Sequence, residues 1–104
     1  DEELLEAASI NEYEMIHIYN LNNGNRFTTY AIKAERGSGT ISLNGAAAYK
    51  GNKDDLIIIC TYAEIDQNKA KEHEPKLIYF KENCNVINEI KSQIPTQKNN
   101  VVSL

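Results

Sequence analysis

The chain has 104 residues, 41% hydrophobic and 25% charged, an ordinary composition for one small globular domain with little stability to spare. Its formal net charge of −4 and pI near 5.1 exclude nucleic acid as the main partner, because a phosphate backbone selects clustered Lys and Arg. The longest apolar run, Leu56 to Cys60, falls far short of the roughly 18 residues that cross a bilayer, and no basic-then-apolar signal segment opens the sequence, so no membrane partner is expected.

The first segment, 1–9, begins with three acids and places Leu4, Leu5 and Ala8 at helical spacing. Asp1 can cap it, and Glu2 and Glu3 suit the positive end of the helix dipole, which predicts a two-turn helix. Residues 14–21 are β-branched and aromatic, with Met15, His17, Tyr19 and Leu21 on one face and Ile16 and Ile18 on the other, the alternation of a strand. Asn23-Gly24 tolerates positive φ and signals a hairpin, so 26–33 is the returning strand. The glycine pair at 37 and 39 leads into a further short strand over 37–43.

Residues 44–49, "NGAAAY", read as a turn and about one helical turn, since three alanines cannot anchor a long amphipathic helix. The run 56–63 is apolar on both faces and reads as the central strand. Residues 64–74 are polar and stop before Pro75, as a short exposed helix or loop would. The segments 76–80 and 85–90 form a last hairpin across "KENC", and from Ser92 the pattern lapses. Five or six short strands with small helical turns point to a closed or partly closed β-barrel in a single domain.

Chemistry-bearing patterns are few. His17 and His73 belong to no H-x-x-x-H or C-x-x-C arrangement, so no metal site is expected. Cys60 sits in the most apolar segment and Cys84 in a polar turn, which fits free thiols in a reducing compartment. No serine lies in a G-x-S-x-G elbow, and no glycine loop leads into Lys-Ser/Thr, so triads and phosphate loops are set aside. Gly37-Ser38 reads as an ordinary loop. What remains is Arg26, Thr29, Tyr30 and Asn44, clustered near glycine-containing turns. Arg offers a planar fork matched to a carboxylate. Tyr, with an unperturbed pKa of about 10, keeps a proton to deliver at neutral pH. A Gly beside an Asn lets backbone N–H groups approach a ligand closely. The same residues could equally decorate a barrel.

With "NNGNRFTTYAI" followed by "ERGSG" and "LNGAAA", the sequence resembles the α chain of the bacterial, pyruvoyl-dependent aspartate decarboxylases. "DEELLEAASI", "AIKAERGS", "LIII" after an Asp pair and "PKLIYF" follow in the family's order. The resemblance covers residues 1–90 as a decarboxylase domain and leaves 91–104 as a flexible C-terminal tail. Its implied fold is mainly β: a small six-stranded double-psi β-barrel with short helices. The implied reaction is decarboxylation of L-aspartate to β-alanine and CO₂ for pantothenate and coenzyme A synthesis in the cytoplasm. A self-processing precursor cleaves at a Gly-Ser bond, and the serine becomes a covalent pyruvoyl cofactor whose carbonyl forms a Schiff base with the substrate. That residue is expected upstream of Asp1, about four positions before it, in a longer precursor. The cognate β chain stays bound, and four αβ units form a homotetramer with sites between neighbouring subunits.

The same resemblance assigns roles. Tyr30 donates the proton that quenches the carbanion, and Thr29 makes the oxyanion contact during self-processing. Arg26 binds a substrate carboxylate, while Asn44, Gly45, Ala46 and Ala47 position substrate and pyruvoyl. Tyr19 stands where the family often has Trp and completes the substrate contacts. Alternation along the strand puts Arg26 and Tyr30 on one face and Thr29 on the other, so their joint action needs a bulge, a strand end or a neighbouring subunit. Gly37-Ser38 is not the processing bond, since cleavage there would part Arg26 and Tyr30 from Asn44. A chain without the carbonyl would instead be a non-catalytic barrel binding an acidic metabolite or a protein.

Overall fold

The computed structural model describes residues 1–98, and their contacts fall into two units, Asp1–Glu64 and the residues from Ile65 onward. The architecture is mainly β, with five strands and short helical segments among the described residues.

The first unit opens with helix α1, Glu2–Ala8. The Asp1 carboxylate accepts the Glu3 N–H at 2.8 Å, the N-cap bond expected from sequence, and Ser9 closes the helix in the left-handed region at φ 57°. Strand β1, Met15–Asn20, buries Ile16, Ile18 and Asn20 on one side, as alternation predicts for the two isoleucines. Strand β2, Arg26–Tyr30, returns antiparallel to it with Tyr19 opposite Arg26, His17 opposite Thr28 and Met15 opposite Tyr30. Strand β3, Ile57–Cys60, pairs with the other edge of β1, Tyr19 facing Ile58 and His17 facing Cys60.

The order is therefore β2-β1-β3, which corrects the expectation that 56–63 supplies the central strand. The hairpin fixes β2 on one side of β1, leaving β3 the other side and an edge position. Leu56 and Ile58 stay exposed at 65% and 46%, so an apolar run marks here a strand with an uncovered outer face. A second correction concerns 37–43, which forms no strand. Gly37 and Gly39 adopt φ 82° and 69°, incompatible with extended backbone. Their N–H groups turn to the Asp1 carboxylate, at 3.0 and 2.8 Å, instead of to a ladder. The described strands thus number five rather than six. Strand β2 also stops at Tyr30 rather than at residue 33; Ala31 still donates to the Glu14 carbonyl and accepts from Tyr13 before the chain leaves the sheet.

A small core holds this unit together. Ile16, Ile18 and Ala31 are buried, with Leu5, Ile10, Phe27, Leu43, Ile57 and Ile59 packed around them. Asn20 is the buried polar residue among them, 3% exposed. Its Oδ1 accepts the backbone N–H groups of Asn22 and Asn23, and its Nδ2 donates to Asp55 Oδ2 and the Lys50 carbonyl. The Lys50 carbonyl also accepts from Asn23 Nδ2 and Asn25 Nδ2. The β1–β2 turn is thereby fastened to the end of the 3₁₀ turn Gly45–Lys50, the helical turn expected at 44–49.

In the second unit, a 3₁₀ turn spans Gln67–Glu72 where a short exposed helix or loop was expected. Strands β4, Leu77–Phe80, and β5, Ile87–Lys91, form an antiparallel hairpin with an irregularity between Tyr79 and Phe80. Its turn places Asn83 at φ 59°. Strand β5 runs one residue into the segment expected as a tail over 91–104, and part of that segment lies outside the described residues. No helix among the described residues is long and apolar enough to cross a membrane.

Candidate active site

The outer face of the three-stranded sheet gathers most of the polar side chains singled out from sequence. Antiparallel pairing puts residues directly opposite one another on the same face. Arg26, Thr28 and Tyr30 of β2 therefore share a face with Tyr19, His17 and Met15 of β1 and with Ile58 and Cys60 of β3. Arg26 and Tyr30 stand together on this face, as expected, and Tyr30 is 56% exposed. Thr29 is half-buried on the opposite face, and the unbroken register through β2 provides no bulge that would bring it round.

Arg26 is held by an aromatic. Its guanidinium carbon lies 3.9 Å from the centroid of the Tyr19 ring, well inside the range in which a cation is drawn to a π face. The guanidinium is thereby held over the ring face, and its planar fork of N–H donors is of the kind that meets a carboxylate. The Tyr19 hydroxyl in turn lies 2.8 Å from the Tyr62 hydroxyl, and either can donate. That contact, ahead of a smaller desolvation effect, pushes the Tyr62 phenol above the usual tyrosine range. His17 meets the Tyr62 ring edge-on, centroids 5.1 Å apart at 88°, and its Nδ1 lies 3.4 Å from Thr28 Oγ1.

The second group of expected site residues sits on the 3₁₀ turn, which packs beside β2. Asn44 precedes that turn in an extended conformation, its side chain making no capping bond; its Oδ1 accepts from Ser42 Oγ at 3.4 Å. Gly45 takes φ +59°, and nothing lies within 4 Å of where a Cβ would stand. Glycine is thus required there for its backbone and not for lack of room. Ala46 is exposed and Ala47 half-buried.

His17, Thr28 and Tyr62 were not singled out from sequence as site residues, although parity held the signal. Thr28 lies between Arg26 and Tyr30 at the two-residue period of one face, and Tyr62 continues the parity of Ile58 and Cys60. Among the described residues, no group of three His, Cys, Asp or Glu side chains gathers as a metal centre would require. Cys60 and Cys84 are free.

Comparison with known proteins shows the family. The family model described as aspartate decarboxylase matches residues 1–87. The chain is 55% identical to the aspartate 1-decarboxylase of Hydrogenovibrio crunogenus, over 93% of this chain and 74% of the relative. It is 51% identical to aspartate 1-decarboxylase 2 of a Polaromonas species, over 94% and 77%, and 52% identical to the aspartate 1-decarboxylase of Laribacter hongkongensis, over 93% and 76%. The match spans the β1–β2 face and the 3₁₀ turn alike, and the chain belongs to the aspartate decarboxylase family.

Proposed function

We propose that the protein is a pyruvoyl-dependent aspartate 1-decarboxylase, a carboxy-lyase that converts L-aspartate to β-alanine and CO₂, and that this chain is its α chain. The observation that carries the reading is the Arg26 guanidinium laid on the Tyr19 ring, on the same sheet face as the Tyr30 hydroxyl, within a chain of this family.

The residues at the start of the 3₁₀ turn suit a small planar carbonyl group. Asn44 brings an amide that caps nothing, the space about Gly45 is open, and Ala46 and Ala47 are small. Asn44 and the backbone of Gly45, Ala46 and Ala47 would hold the pyruvoyl group, which is expected from a precursor serine ahead of Asp1. When bound, that group supplies the electron sink that lets the carboxylate leave.

This chain's own side chains do the rest. Arg26 binds a carboxylate of aspartate through two parallel charge-assisted bonds, and the Tyr19 ring beside it holds the guanidinium in place. Tyr30 holds a proton on its hydroxyl and delivers it to the carbon that has lost CO₂. Thr29, on the far face of β2 and one residue from its end, serves self-processing as the oxyanion contact, reached at the strand end or from a neighbouring subunit. The same proposal includes the cognate β chain, a tetramer of αβ units, a cytoplasmic setting and a place in pantothenate synthesis.

The test is release of labelled CO₂ from aspartate by the complete processed protein. Turnover is expected and should vanish after borohydride treatment in the presence of aspartate; activity that survives that treatment unchanged would refute the carbonyl mechanism. Tyr30→Phe should leave precursor processing intact and lower kcat by about 10²-fold or more. Loss of processing together with turnover would move Tyr30 to maturation.

A further inference from the structure

Tyr62 is a residue without an evident structural duty. It lies just past the end of β3, is 68% exposed and takes no part in the core. Yet its ring and its hydroxyl are both engaged. The ring stands edge-on to His17, which lies within 3.4 Å of Thr28 Oγ1, and the hydroxyl meets Tyr19 at 2.8 Å. Tyr19 is the ring on which Arg26 rests. A phenol ring attached at one end can swing about its side-chain torsions, and a guanidinium stacked on it swings too. Tying the free end of the Tyr19 ring limits that swing and holds in place the ring on which the Arg26 guanidinium rests.

We propose that Tyr62 is a positioning residue for substrate binding: through its hydroxyl it orients the Tyr19 ring, and through that ring the Arg26 guanidinium that grips the carboxylate of aspartate. The proposal rests on the decarboxylase reading and adds to it a residue and the bond through which it acts. A planar, bidentate contact is sensitive to the angle of the fork, whereas the proton held on Tyr30, at the far end of β2, is not reached by this chain of contacts. The effect therefore falls on binding and spares the chemical step.

Tyr62→Phe in the processed holoenzyme deletes the hydroxyl and keeps the ring against His17. The expected result is a KM for aspartate raised about three- to tenfold, the effect of one net hydrogen bond, with kcat within twofold. Succinate, a dicarboxylate without the reacting amine, should bind the variant more weakly by a similar factor in calorimetry. Tyr19→Phe should reproduce the rise, and the double variant should add nothing to it, because both deletions break the same bond. An unchanged KM and succinate affinity in Tyr62→Phe would overturn the proposal, as would additive losses in the double variant or a fall confined to kcat. Wild-type protein that fails to decarboxylate aspartate would overturn the functional reading instead, so the two failures are distinguishable.

Discussion

Asn20 shows how one side chain can join two segments that sequence reading treats as separate. It sits at the end of β1, 3% exposed, and uses both ends of its amide. The oxygen shapes the turn that follows, and the nitrogen ties that turn to Asp55 and Lys50. A buried amide that loses such partners leaves donors and acceptors stranded. Asn20→Ala is expected to destabilise the protein by about 2 kcal/mol, read from the midpoint of urea unfolding, and to raise the KM for aspartate because Arg26 begins the strand after the turn. A variant that unfolds at the wild-type midpoint would show that water replaces the network. The strand pattern made Ile16 and Ile18 legible as core but not Asn20, because alternation reports polarity and Asn is polar. The signal lay in composition: Asn20, Asn22, Asn23 and Asn25 crowd one turn, and asparagine is the residue whose side chain substitutes for backbone in turns.

Among the elements, α1 and the loop at 37–39 depend on a single carboxylate. Asp1 accepts the N–H groups of Glu3, Gly37 and Gly39, so the cap of the helix is also the anchor of the loop. Arg36 reinforces the junction from outside, 2.8 Å from Glu6 and 3.7 Å from Glu2, an exposed pair of modest worth. Asp1→Ala should cost about 1–2 kcal/mol, the usual loss for an N-cap, and should speed hydrogen exchange at the amides of Gly37 and Gly39 along with those of the first helical turn. Exchange that accelerates in the helix alone would show that the loop is held by other means. The helix was legible because its cap, acids and leucines lie within a few residues of one another. The loop was read as a strand because the partner that bends it is 36 residues away for Gly37, and local propensity contains no such bond. The same limit applied to β3, whose apolar run announced a strand but not which side of β1 it would join.

For the molecule as a whole, the ionisable groups set an acid limit. The Asn20 side chain, then the Asn52 N–H, holds the Asp55 carboxyl below its usual range; the Arg36 guanidinium does the same for Glu6. A carboxylate whose pKa is lower folded than unfolded stabilises the fold while ionised, above its unfolded value, and that contribution fades as pH falls through the folded one. The urea midpoint should thus hold steady from neutral pH to the unfolded carboxylate values of 3.8 for Asp55 and 4.5 for Glu6, then decline below them. Asp55→Asn should flatten the decline, and an unaltered slope in that variant would remove Asp55 from its causes. The mainly β class was legible at this scale from many short alternating segments. So were the positions of Arg26 and Tyr30 on one face, because a period of two is a local property. The contact of Tyr19 with Tyr62 was not, since it spans 43 residues and depends on which strands pair.

The turn between β1 and β2 has one last consequence, in the chemistry of ageing. Asn-Gly pairs deamidate fastest of all dipeptides, because the unhindered glycine nitrogen attacks the neighbouring side-chain amide and closes a ring. In Asn23-Gly24 the attacking N–H is bonded to the Asn20 carbonyl at 3.0 Å, while the Asn23 amide donates to Lys50 and its oxygen accepts the Asn25 N–H. The nucleophile is held in a bond that its attack would have to break, and the target side chain is fixed in place between two partners. The turn that leads into Arg26 thereby also slows the clock running in its own hairpin.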